Sequence, residues 1–146
     1  MVKCEELNAD MIRRPIDRAI EGMSYAYTPY SGFRVGAALL TESGEIYTGC
    51  NIENAAYTPT NCAERTAFFK AVSEGERHFA AICIVGGKDG KLADYTSPCG
   101  VCRQVMMEFC EPEQFKIILA ISREEYRIYT LKELLPEGFG PARLAR

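Results

Sequence analysis

Apolar residues return every three or four positions at Met11, Ile12, Ile16, Ala19, Ile20 and Met23, the spacing of one helical face. This predicts a first helix, capped by Asn8 or Asp10 and running to about Tyr25, with Pro15 moving its start later than Asn8. After a loop over Tyr27–Gly32 the period changes. Val35–Thr41 and Glu45–Cys50 read as two strands joined by a turn at Glu42-Ser43-Gly44. Residues 51–61 are rich in Asn and Thr and read as irregular. A second helix is predicted from about Cys62 to Glu74, ended by Gly75. Phe79–Val85 is an unbroken apolar run closed by Gly86-Gly87, as expected of a strand buried on both faces. A polar loop, Lys88–Ser97, leads to a third helix from about Cys99 to Phe109. Lys116–Ile121 reads as another buried strand and Tyr126–Tyr129 as a shorter one. Thr130 caps a last short helix, Leu131–Leu135, before a tail, Pro136–Phe139, with too few apolar residues to fold back alone.

Strands and helices alternating after an opening hairpin predict an α/β fold, a mixed sheet covered by helices, in a single domain over residues 1–146. The 146 residues are enough to bury a normal core. A net charge of −3 gives no basic footprint for nucleic acid. No apolar run approaches the roughly 20 residues of a membrane span, and Met1-Val2-Lys3-Cys4-Glu5-Glu6 has no apolar signal core. Seven cysteines, an odd number, fit a reducing cytoplasm with thiols free or bound to metal.

Those thiols carry the candidate chemistry. Cys99 and Cys102 are three apart and share a helical face, and Pro98 before them signals a helix start. Cys62 and Glu64 do not share a face in a helix interior, but in a first turn both reach past the helix end. Two helix N-termini then meet at one point, where their dipoles favour thiolate over thiol. Three protein ligands rather than four leave a coordination position for water, the mark of a catalytic zinc site. Zinc lowers the pKa of such a water to about neutrality, and Glu64 is placed to move its proton. The plainer reading of these cysteines is that of small buried hydrophobes, or of a redox pair. Redox motifs of the thioredoxin type usually carry a neighbouring Trp, and this chain has none. Cys-x-Glu followed by Pro-Cys-x-x-Cys is the three-cysteine signature of zinc deaminases.

Four ordered segments extend that signature: Tyr30-Ser31-Gly32-Phe33-Arg34-Val35-Gly36-Ala37-Ala38-Leu39-Leu40, Gly49-Cys50-Asn51-Ile52-Glu53-Asn54-Ala55, Asn61-Cys62-Ala63-Glu64-Arg65-Thr66-Ala67 and Ser97-Pro98-Cys99-Gly100-Val101-Cys102-Arg103-Gln104. Through them the chain resembles the small zinc-dependent cytidine deaminases, from about Tyr25 to Phe139. The resemblance implies a three-layer α/β/α fold on a five-stranded mixed sheet. It also implies Zn2+ on Cys62, Cys99 and Cys102, and hydrolysis of cytidine and 2′-deoxycytidine to the uridines and ammonia in pyrimidine salvage. The activated water attacks C4, while Glu64 takes its proton, protonates the adjacent ring nitrogen and later supplies the leaving ammonia.

By the same resemblance Arg65 hydrogen-bonds the thiolates, with Arg103 a second candidate for that role. Asn51 and Glu53 hold the sugar 3′-hydroxyl, Phe33 stacks on the base, and Ala63 binds substrate. Phe139 crosses from a neighbouring subunit of a homotetramer whose active sites are shared. The plainer readings are turn chemistry for Asn51, surface charge for Glu53 and Arg65, and core or tail aromatics for Phe33 and Phe139. His78 reads as exposed and not a ligand; Cys50, Cys83 and Cys110 read as buried thiols; Tyr57 is left without a role. Two alternatives stand beside this. One is a deaminase of a cytosine nucleoside antibiotic such as blasticidin S, against which the intact Asn51-Ile52-Glu53-Asn54 argues. The other is a non-catalytic zinc-stabilised module with Cys50 or another thiol as fourth ligand.

Overall fold

Asn8 caps the first helix, its side chain accepting the Met11 N–H at 3.0 Å, in a computed structural model that describes residues 7–144. Cys4, expected as a free terminal thiol, lies outside the described residues. Helix α1 spans Ala9–Met23, so Pro15 lies inside it and does not delay its start beyond the Asn8 cap. Pro15 has no N–H to give the carbonyl one turn back, a cost in a helix interior. Its ring is buried with Ile12, Ile16, Ala19 and Met23, and the burial of that stripe offsets the lost bond.

The strands follow as β1 (Phe33–Thr41), β2 (Ile46–Cys50), β3 (Phe79–Lys88), β4 (Lys116–Ala120) and β5 (Tyr126–Thr130). They form one sheet in the order β2-β1-β3-β4-β5. Only β3 and β4 run parallel; the other neighbours are antiparallel. Helices α2 (Ala63–Ser73), α3 (Gly100–Phe109) and α4 (Leu131–Leu134) complete the α/β architecture.

Strand side chains alternate between two faces, and here both faces are apolar. Leu39, Ile82, Ile84, Ile117 and Leu119 point to the side of α2 and α3, where Phe68, Met106 and Phe115 close the core. Leu40, Cys83, Val85, Ile118 and Ala120 point to the side of α1. Phe68 anchors the first cluster through edge contacts to Phe79 at 5.1 Å and stacking on Phe109 at 6.1 Å.

Two glycines seat the helices against the sheet. A Cβ on Gly36 would lie 2.0 Å from the Ala19 carbonyl oxygen, so α1 rests directly on β1. A Cβ on Gly49 would lie 2.3 Å from the Ala63 carbonyl oxygen, so the start of α2 rests on β2.

Two stretches depart from the sequence reading. β3 runs on through Gly86-Gly87, because the early residues of β1 supply its partners: Val35 faces Gly86, Arg34 faces Gly87 and Phe33 faces Lys88. The pair does not end the strand. It admits the returning loop, since a Cβ on Gly87 would sit 1.7 Å from the Lys91 carbonyl oxygen. The tail also folds back, contrary to expectation. Gln104 donates to the Phe139 carbonyl at 2.8 Å, Gly140 packs on Met107, and Pro141–Leu144 forms a 3-10 turn.

Candidate active site

Cys62 is the N-cap of α2 and Cys99 the N-cap of α3, with Cys102 three residues into the latter. The Sγ atoms of the three lie within 4.8 Å of one another, Cys62 and Cys99 at 3.7 Å. No other Cys, His or acidic side chain among the described residues joins the group. Cys50 stands outside it as a half-buried thiol, which counts against the four-ligand module. Cys83 is buried as expected, whereas Cys110 is only half-buried. His78 is exposed and takes no part.

Local chemistry places each sulfur. Cys62 makes no side-chain cap bond, so its thiol is free to turn outward from the helix end. A clasp built on Thr66 fixes that end. Its hydroxyl donates to the Cys50 carbonyl at 3.0 Å and accepts from the Asn61 side chain at 3.1 Å, while its N–H bonds the Cys62 carbonyl. Across the gap the Cys102 N–H donates to Cys99 Sγ at 3.5 Å, aiming that sulfur at the others.

The thiols share protons unequally. Cys62 is drawn down to about 5, first by its hydrogen bond with Cys102, with Arg65 and Cys99 adding to this against the effect of burial. Cys102 is pushed up by the same bond to Cys62 and by its own burial. Arg65 Nη2 donates to Cys62 Sγ at 3.3 Å, while its buried Nε has no partner among the described residues. Three soft sulfur donors, one readily ionised, beside a cation that offsets their charge fit zinc.

Glu64 follows one residue into α2 and is 4% exposed. Burial pushes its carboxyl up to about 7; the nearby Cys62 sulfur raises it further, while bonds to its own backbone N–H and to Cys102 oppose the rise. Such a group exchanges a proton near neutral pH. Ala63, between Cys62 and Glu64, is fully buried in the apolar cluster.

A second group of predicted residues converges on residues 30–35. Asn51 Oδ1 accepts the Val35 N–H at 2.9 Å and its Nδ2 donates to the Phe33 carbonyl at 2.8 Å. Glu53 Oε1 accepts the N–H groups of Tyr30 and Ser31 at 3.0 and 3.1 Å, and Oε2 accepts the Ser31 hydroxyl in a short contact. These bonds hold the Glu53 carboxyl below the usual carboxylate range, the Ser31 hydroxyl contributing most. Phe33, 40% exposed, opens β1 and lines a cavity of about 410 Å3 with Gly86, Gly87, Lys88 and Tyr95. A larger cavity, about 530 Å3, lies at the far end of β3 around His78, Phe79 and Phe109, and neither cavity is lined by the clustered thiols or Glu64.

Comparison with known proteins agrees with this geometry. The profile of the cytidine and deoxycytidylate deaminase zinc-binding region matches residues 11–118. The chain belongs to that deaminase family. It is 48% identical over 128 residues to a cytidine deaminase of Sporosarcina psychrophila, covering 88% of this chain and 90% of the relative. A cytidine deaminase of Halalkalibacterium halodurans is 48% identical over 124 residues, covering 85% of this chain and 90% of the relative. Among solved structures, the cytidine deaminase of Burkholderia pseudomallei superposes with a TM-score of 0.78 at 43% identity, over 86% of this chain and 97% of that one.

Within this deaminase fold, one sequence expectation changes. Arg103 does not bond the thiols: its guanidinium donates to the carbonyls of Pro98 and Leu134 and to the Ser97 hydroxyl, tying the turn before α3 to the end of α4. Phe139 is 58% exposed, its carbonyl held by Gln104. Tyr57, left without a role, is exposed at φ 60 and meets Tyr30 edge-on at 6.5 Å. Sequence reasoning missed Thr66, Asn61 and Ser31 as supporting residues. The signal for Thr66 was its place four residues after Cys62, one helical turn on.

Proposed function

We propose that this chain catalyses the zinc-dependent hydrolytic deamination of cytidine and 2′-deoxycytidine, a step of pyrimidine salvage in the cytoplasm. The observation that carries this reading is a buried carboxyl, Glu64, two residues from a thiol that converges with two others at opposed helix N-termini. Cys62, Cys99 and Cys102 hold the zinc, which when bound supplies a Lewis acid that activates water.

The remaining work falls to side chains and backbone. Glu64, lifted to about 7, takes one proton from the attacking water and gives it to the ring nitrogen beside C4. It then takes a second proton, from the new C4 hydroxyl, and gives it to the amine, which leaves as ammonia while C4 becomes a carbonyl. Arg65 offsets the charge of the thiolates. Ala63 has a buried methyl group, so its contribution comes from its main-chain N–H, a donor that the start of α2 leaves without an intrahelical partner. Phe33 is the platform for the base. Asn51 keeps a second Nδ2 proton, and Glu53 keeps one unused lone pair on Oε2, for the sugar 3′-hydroxyl.

The same reading extends to a homotetramer with shared sites, in which Phe139 closes a neighbour's site. Exposed Tyr25, Tyr27, Tyr30, Ile52, Tyr57 and Phe139 support it, since aromatic residues are enriched at interfaces. Neither nucleic acid nor membrane enters the reading. The net charge is −3, and no described helix is long and apolar enough to cross a membrane.

An ultraviolet assay of the zinc-loaded chain on cytidine, deoxycytidine, free cytosine and blasticidin S tests the substrate. Turnover of both nucleosides is expected. Activity on the antibiotic alone would transfer the assignment to the alternative, and none on any of the four would refute it. Mixing Phe139→Ala with Glu64→Gln chains tests the assembly. Partial recovery of activity is expected, and no recovery despite proven subunit exchange would refute a shared site.

A further inference from the structure

We propose that Ser31 is a positioning residue that couples sugar recognition to the placement of the Phe33 ring; this rests on the nucleoside reading above. The Ser31 hydroxyl has one proton and accepting lone pairs, and both capacities are used. The proton goes to Glu53 Oε2, and the oxygen accepts the Phe33 N–H at 3.0 Å. On the other side of Phe33, Asn51 takes up its carbonyl and the Val35 N–H. The backbone of the stacking residue is therefore held by two side chains, Ser31 and Asn51. One of these is itself fixed by the carboxylate assigned to the sugar.

The main chain of the same turn is held as well. The Ser31 carbonyl accepts the Lys88 ammonium, and the Gly32 carbonyl accepts the Asp89 N–H at 2.7 Å. Gly32 adopts φ +68, a left-handed conformation that glycine takes without steric cost. A Ser bonding the N–H two residues on is common turn chemistry. An ionised carboxylate fixing that hydroxyl is an addition, and hydrogen bonds to charged groups are the stronger kind. Deleting the hydroxyl releases Glu53 Oε2 and the Phe33 N–H together. The contact to the sugar and the platform for the base then loosen as one unit.

The test compares the wild type with Ser31→Ala, Ser31→Thr, Glu53→Gln and the Ser31→Ala/Glu53→Gln double variant, all zinc-loaded, on cytidine and 3′-deoxycytidine. In Ser31→Ala, kcat/KM for cytidine is expected to fall about tenfold or more, chiefly through KM. The preference for cytidine over 3′-deoxycytidine should contract, and Ser31→Thr should restore most of both. In the Glu53→Gln background the same deletion should cost under about threefold, because residues acting through one another are not additive. Unchanged kinetics and preference in Ser31→Ala, or losses that multiply in the double variant, would overturn the proposal. So would loss of zinc or of the folding transition in Ser31→Ala, which would make the hydroxyl purely structural. A readout without substrate separates this from the function itself. The Phe33 amide resonance should follow the Glu53 titration in the wild type and not in Ser31→Ala. Absence of that tracking overturns the coupling, whereas a wild type inactive on both nucleosides overturns only the substrate reading.

Discussion

Replacing Glu64 by Gln separates its catalytic value from its cost to the fold. The carboxyl is 4% exposed and raised from 4.5 to about 7. A raised folded-state pKa means that the folded chain binds the proton more tightly than the unfolded one. The stability this confers is fully present below pH 4.5 and is lost as pH rises through about 7. At roughly 1.4 kcal/mol per pH unit, the ionised carboxyl costs about 3 kcal/mol at pH 8 and under about 1 kcal/mol at pH 5. Gln does not titrate and escapes that cost. Cys62 titrates in both chains, with the opposite sign, and largely cancels in the difference. After chelation, thermal melts from pH 5 to 8 should show Glu64→Gln gaining on the wild type, by about 6–12 °C at pH 8 at roughly 2–4 °C per kcal/mol for a chain of this size. With zinc restored the gap should narrow, because a nearby cation favours the carboxylate. Turnover by the zinc-loaded variant should fall about 10²- to 10⁴-fold or more with metal content intact. A pH-independent difference in melting temperature would refute the burial argument, and near-normal turnover would refute the proton shuttle.

Cys99→Ala and Cys102→Ala should each lose zinc and activity together, since two thiolates cannot hold the ion; full zinc by metal analysis after dialysis would remove that residue from the ligand set. Arg65→Gln deletes the 3.3 Å bond to Cys62 and should weaken zinc binding about 10- to 100-fold in chelator competition, with the melting transition of the zinc-saturated chain retained. An unchanged affinity would make Arg65 a bystander. Gly36→Ala drives a Cβ to 2.0 Å from the Ala19 carbonyl and should cost about 1–3 kcal/mol or more. A wild-type melting temperature would show that α1 can lift from β1 freely.

The apolar pattern conveyed most of the fold because both faces of this sheet are buried. β1, β3 and β4 read as continuous hydrophobic runs, and the helices facing them show their stripes. What escaped that pattern was set by tertiary contacts with no local signature. Gly86-Gly87 looks like a strand end from composition alone, and only the residues of β1 opposite reveal a strand that continues. Pro15 suggests a start later than Asn8, but the stripe it joins lets α1 begin at once after the Asn8 cap. The tail gave no apolar signal because a side-chain amide on Gln104 and a glycine against Met107 hold it, not a hydrophobic face. The clustered thiols were legible for the opposite reason: their spacing fixes their place on a helix end. Arg103 shares a motif with two of them, yet spacing cannot tell a guanidinium aimed at sulfur from one aimed at carbonyls.

The distinction between Arg65 and Arg103 shows how the site keeps three ligands and no more. Each guanidinium follows a cysteine within the first turns of its helix, and each would offset thiolate charge if it reached the cluster. Arg103 is spent on Pro98, Ser97 and Leu134, where it fixes the approach to α3 and hence the position of Cys99. Arg65 alone reaches sulfur. On the opposite helix Thr66 and Asn61 do for Cys62 what Arg103 does for Cys99, pinning the helix entry to the end of β2. Both helix entries are therefore held by polar groups outside the cluster, and Gly49 brings one of them onto the sheet without a Cβ between. The thiols converge where these polar groups fix the backbone at both helix entries. Glu64, the one buried acid among the described residues, is not grouped with the three sulfurs, and the proposed proton shuttle requires that freedom.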